Sequence, residues 1–345
     1  MLPGSDNQDD QNPVGIKESL SAVYRGRNTQ TFHNVKIRRA VQARPRWAAI
    51  RIGSHPGLTV GRPFHSALPL RPTGVTPMPL WTCEQCGAQF PESAAPPAAC
   101  PVCEDERQFV NWNGQAWLTR EELAQRHKLV WRDDLGIPGI GLEPGFAIGQ
   151  RALLVPEADG CVMWDCVPLV TPEAIDYVRS LGGLKAIAVS HPHYYGAVAD
   201  WSEAFGGIPV YLHGDDRALV TRQHSAIVPW TGDSQRLSDD ILLVRTGGHF
   251  AGGTVMHWRA GAEGRGALLT GDVAMVAMDR RSLSFMYSFP NYIPLNATAV
   301  RRIWAAVEPR AFDRIYGAWW GRNVADHAKA AFEMSVRRYI AAISG

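Results

Sequence analysis

From Gly136 onward, short apolar or β-branched runs alternate with segments of helical character. The runs read as strands are Ala152–Pro156, Cys161–Cys166, Ala186–Ser190, Val210–His213, Ile241–Thr246, Thr254–Arg259, Ala267–Thr270 and Arg314–Gly317. Each has the length and residue preference of a half-buried or buried strand. Between them, Thr171-Pro172-Glu173 reads as an N-cap, a first-turn proline and an acid, and Gly182-Gly183 stops that helix. Further helices are expected near Ala197–Phe205, Ala297–Val307 and Ala325–Ile343. Hairpins mixed with crossover helices predict an α/β fold, a mixed sheet layered between helices, over residues 136–345.

Residues 80–132 have a different texture. Cys83-x-x-Cys86 and Cys100-x-x-Cys103 are separated by 13 residues. Each such turn can aim two thiolates at one ion, and two turns complete a tetrahedral all-sulfur shell for zinc or iron. Cys86-Gly87 and Cys100-Pro101-Val102-Cys103 resemble the knuckles of zinc ribbons and rubredoxins. That resemblance implies a small structural module, with zinc preferred over iron. So small a unit cannot build a core, and metal ligation of order 10 kcal/mol would replace one. Asn111–Trp117 reads as a turn, and Thr119-Arg-Glu-Glu122 as a capping-box start to a helix through His127. Cys161 and Cys166 are expected to be apolar packing residues.

Composition adds bounds rather than a function. The 345 residues are 46% hydrophobic and 20% charged, as expected of a globular chain with a sizeable core. Residues 1–77 carry 11 Lys/Arg against 4 Asp/Glu, a charge of +7, whereas the remainder carries 24 against 29, or −5. Residues 1–79 are therefore read as a disordered leader, or as sequence ahead of a start that belongs at Met78. No apolar run approaches a membrane span, and no secretory signal opens the chain, so a cytoplasmic protein is expected. No membrane or nucleic-acid partner is expected. The four-cysteine module is a candidate contact for a protein partner.

Polar residues gather at strand ends, where open α/β sheets place their ligands. His191-Pro-His193 ends one strand, Gly247-Gly248-His249 another, and Gly271-Asp272 a third. Gly248-His249-Phe-Ala-Gly252-Gly-Thr-Val255 and Leu269-Thr-Gly271-Asp272 complete an ordered set that resembles the metallo-β-lactamase-fold hydrolases, such as glyoxalase II and related lactonases. The resemblance covers about residues 140–340 and implies an αββα sandwich with a metal at one rim. It implies His191, His193 and His249 as ligands, with Asp272 as a fourth ligand or as a group that takes a proton or orients water.

The departures limit the site to one metal. The family reads H-x-H-x-D-H, and this chain has Tyr195 and Gly196 where the aspartate and last histidine would stand. A late Gly-His is replaced by Gly317-Ala-Trp-Trp-Gly-Arg322. Three imidazoles around an open position suit zinc-assisted hydrolysis of a small ester, thioester or lactone. Tyr194 or Tyr195 would donate to an oxyanion. Trp319 and Trp320 would line an apolar substrate pocket, and Arg322 would hold an anionic group. Against these stand plainer assignments: His193 and His249 as core histidines, Asp165 and Asp272 as helix caps, the tryptophans as filler and Arg322 in a surface ion pair. A non-catalytic scaffold and an iron-dependent redox enzyme are the alternative functions.

Overall fold

The computed structural model describes residues 78–345. Residues 1–77, nearly all of the expected leader, lie outside the described residues.

Two sheets face each other. The first has seven strands. In spatial order they are Ile227–Trp230, Val210–His213, Leu184–Ala188, Gly160–Trp164, Ala152–Glu157, Ile137–Glu143 and Lys128–Asp134. Pairing is antiparallel from Lys128–Asp134 to Gly160–Trp164 and parallel beyond it, where crossover segments carrying the helices Pro172–Ser180 and Val198–Ala204 intervene. The second sheet has six strands, in the order Ser234–Arg236, Ile241–Arg245, Thr254–Trp258, Ala267–Gly271, Arg314–Gly317 and Asn323–Val324. Ala267–Gly271 and Arg314–Gly317 run parallel, joined through the helix Ala297–Val307.

Side-chain alternation makes the layers. Leu153, Val155, Val162, Trp164, Ala186 and Ala188 of the first sheet bury into one core with Leu243, Met256, Leu269 and Tyr316 of the second. Their neighbours point the other way, as a two-residue period requires. Leu154, Met163 and Ile187 pack with Ala174, Val178, Val198 and Trp201 from the outer helices of the first sheet. Val244, Val255, Leu268 and Ile315 pack with Val300, Ile303 and Phe332 from helices Ala297–Val307 and Ala328–Ile343. Each such aliphatic side chain stabilises the fold by about 1.5–3 kcal/mol on burial. Slipping any central strand by one residue would exchange the two cores, so register is strongly specified. The architecture is the αββα sandwich expected from the resemblance.

The four-cysteine module is a three-stranded sheet, ordered Gln89–Glu92, Leu80–Cys83, Trp117–Thr119, with a one-turn helix Pro101–Glu104 and the helix Arg120–Arg126. The capping box forms as expected: Thr119 Oγ1 accepts from Glu122 N, and Glu122 accepts from Thr119 N. The next strand, Lys128–Asp134, crosses the boundary expected near residue 132 and forms an edge of the large sheet. Only its last residue, Asp134, is buried, so its sequence carries no strong alternation. Among the described residues no helix is long and apolar enough to cross a membrane.

Candidate active site

Three loops at the same rim of the sandwich deliver the four residues of the site. Two residues past Leu184–Ala188, Ser190 and His191 enter a short 3₁₀ turn, Pro192–Tyr194, that carries His193. Facing it, Thr246–Thr254 is a tight loop: Thr246 N and Gly247 N donate to Gly253 O at 2.8 and 2.9 Å, and Thr254 N donates to Ser190 O at 2.9 Å. That last bond ties the two histidine loops together. Gly248 has φ +93°, and a Cβ there would stand 2.7 Å from Ile303 Cδ1, so only glycine lets the loop close on its helix. Gly271, at φ +52°, passes so near Ser190 that a Cβ would lie 2.7 Å from its Oγ. This close approach sets Asp272 beside His191.

The result is a buried His191/His193/His249/Asp272 set whose ligand atoms all lie within 4.8 Å of one another. His191 Nε2 is 3.1 Å from Asp272 Oδ1, and His193 Nδ1 is 3.3 Å from His249 Nε2. A tetrahedral ion with bonds of 2.0–2.1 Å separates its ligands by about 3.4 Å, so these spacings fit zinc. The ring orientations are fixed from behind. His249 Nδ1 donates to Tyr287 O at 2.7 Å, which leaves Nε2 bare toward the set. His191 Nδ1 meets Ser190 Oγ at 3.0 Å, and Asp165 Oδ1 accepts from Ser190 N at 2.8 Å. Asp165 thus supports the histidine loop rather than ligating; its own φ of +61° turns its carboxylate back onto Ser190. His191 Nε2, His193 Nε2 and Asp272 Oδ1 are buried with no hydrogen-bond partner. Orphaned buried polar atoms are costly; an ion held by His191 Nε2, His193 Nδ1, His249 Nε2 and Asp272 Oδ1 would satisfy two of them, while His193 Nε2, on the other side of its ring, would stay without a partner.

Electrostatics agree. Burial first, then the neighbouring imidazoles, push His191 well below the usual histidine range. His193 is pushed well below it by burial and by His249, and burial lowers His249 to about 4. All three imidazoles are therefore neutral near pH 7, the form that binds metal. Burial, then Asp165, raises Asp272 to about 8, and burial raises Asp165 to about 7. Two crowded carboxyls of this kind invite a cation.

A cavity of about 300 Å³ opens onto His193 and Asp272. Trp319, Phe289, Ile148 and Phe109 give it apolar walls, and Gln85, Arg107 and Gln108 add polar ones. Trp319 therefore stands where a substrate would be, its Nε1 donating to Ile148 O at 2.8 Å. The other expected substrate groups do not line this cavity. Trp320 covers the strand Ile137–Glu143, so closely that Cβ atoms at Gly139 and Gly141 would each come within 2.8 Å of its ring. Arg322 closes the turn 317–322 through its backbone. Tyr194 is fully buried against His191, at 5.0 Å between ring centres, and burial pushes its hydroxyl well above the usual range. The Tyr195 hydroxyl, the other expected oxyanion donor, donates to Asp216 O at 3.4 Å. Arg107, Gln108 and Phe109 were missed. They follow the second cysteine knuckle directly, and only the docking of the module onto the sandwich makes them cavity residues.

The second cluster is complete. Cys83 Sγ lies 3.5 Å from Cys103 Sγ and Cys86 Sγ lies 3.6 Å from Cys100 Sγ, all buried and none in a disulfide. Zinc–thiolate bonds of 2.3 Å place sulfurs about 3.8 Å apart in a tetrahedron, so the spacing fits. Gln115 Nε2 donates to Cys83 Sγ at 3.0 Å. Cys161 and Cys166 pack in the outer core of the first sheet.

Two facing sheets and flanking helices form an αββα sandwich with a His/His/His/Asp set at one rim, beside a zinc-ribbon-like four-cysteine module. The chain is 43% identical over 270 residues to the uncharacterized protein YmaE of Bacillus subtilis (strain 168), covering 77% of this chain and 98% of that protein, and it belongs to the same family. No family model matches the chain. Among solved structures, it is similar to the metallo-β-lactamase FIM-1 from Pseudomonas aeruginosa in its mono-zinc form, at TM-score 0.45 and 14% identity over 63% of this chain and 96% of that one. Similarity to the DIM-1 metallo-β-lactamase has TM-score 0.44 and 14% identity, over 60% of this chain and 97% of that one.

Proposed function

We propose that the chain is a metal-dependent hydrolase of a small ester, thioester or lactone, using one zinc ion at the His191/His193/His249/Asp272 set. One observation carries this reading: three neutral imidazoles and a carboxyl, with orphaned polar atoms among them, form one buried set that opens through His193 and Asp272 onto a largely apolar cavity. A zinc ion held there supplies Lewis acidity and a water whose pKa falls to about 7. The chain does the rest. Ser190 and Tyr287 O keep His191 and His249 turned toward the set. Asp272 lines the cavity; ionised when a cation is held beside it, its carboxylate would accept the proton of the attacking water and return it to the leaving group. Trp319, Phe289 and Phe109 bind the apolar body of the substrate and keep bulk water from it.

A non-catalytic binding role is the second reading, favoured by the diverted Tyr195 hydroxyl and the single metal-sized set among the described residues of the sandwich. A redox role would require iron, whose thiolate colour an absorbance spectrum of the purified protein would reveal. Metal analysis with an ester, thioester and lactone panel separates the first two. The expected result is two zinc equivalents in the parent and one in His191→Ala, with hydrolysis of a panel substrate falling at least about a hundredfold. Parent-like hydrolysis by His191→Ala would exclude the proposed chemistry.

A further inference from the structure

The four-cysteine module sits against the His249 side of the site, and the side chain of Arg107 reaches from one to the other. Past the knuckle Cys100–Cys103, Asp105 accepts from Arg107 Nε and Nη2, both at 2.5 Å, which fixes the guanidinium as a plane. Arg107 Nη1 then reaches His249 O at 3.4 Å. The same guanidinium lies 3.9 Å from the centre of the Phe250 ring. Phe250 in turn packs on all three imidazoles, with ring centres 5.1, 4.9 and 4.9 Å from His191, His193 and His249. Around this contact the backbone of the segment is clamped. Ser288 Oγ donates to Arg107 O at 3.1 Å, and Asn291 Nδ2 donates to Glu106 O and Gln108 O at 3.1 and 3.2 Å. Tyr287, whose carbonyl orients His249, donates its hydroxyl to Glu106. A folding staple for the module alone would need none of these bonds.

We propose that Arg107 is a positioning residue through which the four-cysteine cluster holds the 247–253 loop and the 286–291 segment, so that the two metal sites are coupled. The cluster fixes the chain up to Cys103, the Asp105 fork orients Arg107, and Arg107 sets the carbonyl of His249 and the ring of Phe250. This rests on the reading of His191, His193, His249 and Asp272 as a metal set, but it has a consequence that needs no metal there.

The test uses the full-length protein and compares Arg107→Ala and Arg107→Lys with the parent. Zinc affinity of the His site, measured by competition with a chromophoric chelator while the four-cysteine site stays loaded, should fall about tenfold in Arg107→Ala, the range seen when a partner behind a metal ligand is lost. Arg107→Lys keeps the charge but not the fork, and should not restore affinity. Amide hydrogen exchange without zinc in the His site should show faster exchange across 247–253 and 286–291 in Arg107→Ala, with the helix Ala297–Val307 unchanged. Unchanged exchange in both segments would overturn the proposal, as would parent-like zinc affinity in Arg107→Ala. A parent that takes up zinc only at the cysteines would instead sink the metal-hydrolase reading, while the exchange result would still decide the coupling.

Discussion

At the scale of single residues, the loop carrying His249 leans on a carboxyl outside the His191/His193/His249/Asp272 set. Asp216 Oδ1 accepts from Gly252 N at 2.9 Å, while its Oδ2 is buried with no hydrogen-bond partner. A Cβ at Gly252 would lie 2.7 Å from that Oδ2, so the loop and the carboxyl are packed to contact. Burial raises Asp216 to about 6, above its ordinary 3.8, with Arg107 and Arg245 opposing the rise. The folded protein therefore holds this proton more tightly than the unfolded chain. Stability from Asp216 is fully present below about pH 4 and is lost as pH rises through about 6, a difference of about 2–3 kcal/mol. Asp216→Asn should accordingly be more stable than the parent at pH 8 and should lose that advantage by pH 4. Urea unfolding of both proteins across this range checks it; an advantage that grows toward low pH would contradict the sign.

Among elements, the hairpin of Lys128–Asp134 and Ile137–Glu143 is anchored by a buried ion pair. Arg151 Nε donates to Asp134 Oδ2 at 2.7 Å, with Arg151 2% exposed and Asp134 5%. Asp134 Oδ1 also accepts from Asn323 Nδ2 at 2.6 Å and Gly321 N at 3.3 Å, which joins the edge of the first sheet to the last turn of the second. Asp134→Ala would leave Arg151 charged and buried, at a cost of about 3–5 kcal/mol. Chemical denaturation should show that loss, and a change under about 1 kcal/mol would mean that water reaches the guanidinium. Elements of this kind were also the hardest to read in advance. The strands Ala152–Glu157, Leu184–Ala188 and Ala267–Gly271 were legible because they are largely apolar and mostly buried on both faces. Lys128–Asp134 and Ser234–Arg236 were not, because edge strands with solvent on one side carry charged residues that look like loop.

For the whole molecule, the module is fastened to the sandwich at a second point. Asp200 accepts from Gln89 Nε2 at 2.9 Å and Arg120 Nη2 at 2.7 Å, both from the module, and from Arg222 Nη1 at 2.6 Å. Asp200→Ala should cost about 2 kcal/mol and loosen the module, since Arg120 and Arg222 are partly exposed and can rehydrate. Limited proteolysis should then cut between residues 105 and 127 faster than in the parent, with the sandwich left intact; equal cleavage rates would show that the Arg107 side suffices.

What the sequence alone determined was chemistry that is local in the chain. Two C-x-x-C turns, a His-x-His, a glycine-flanked histidine and a Gly-Asp each mark candidate ligands, because they set donor-bearing residue types close together in the chain. The short apolar and β-branched runs likewise announced the sheets. Tertiary structure decided everything that depends on two distant segments touching. It turned the Tyr195 hydroxyl toward Asp216, laid Trp320 on the sheet while Trp319 entered the cavity, and brought Arg107 to His249, 142 residues away. The direction in which a side chain leaves a loop is fixed by the packing around that loop, and that packing is supplied by other parts of the chain.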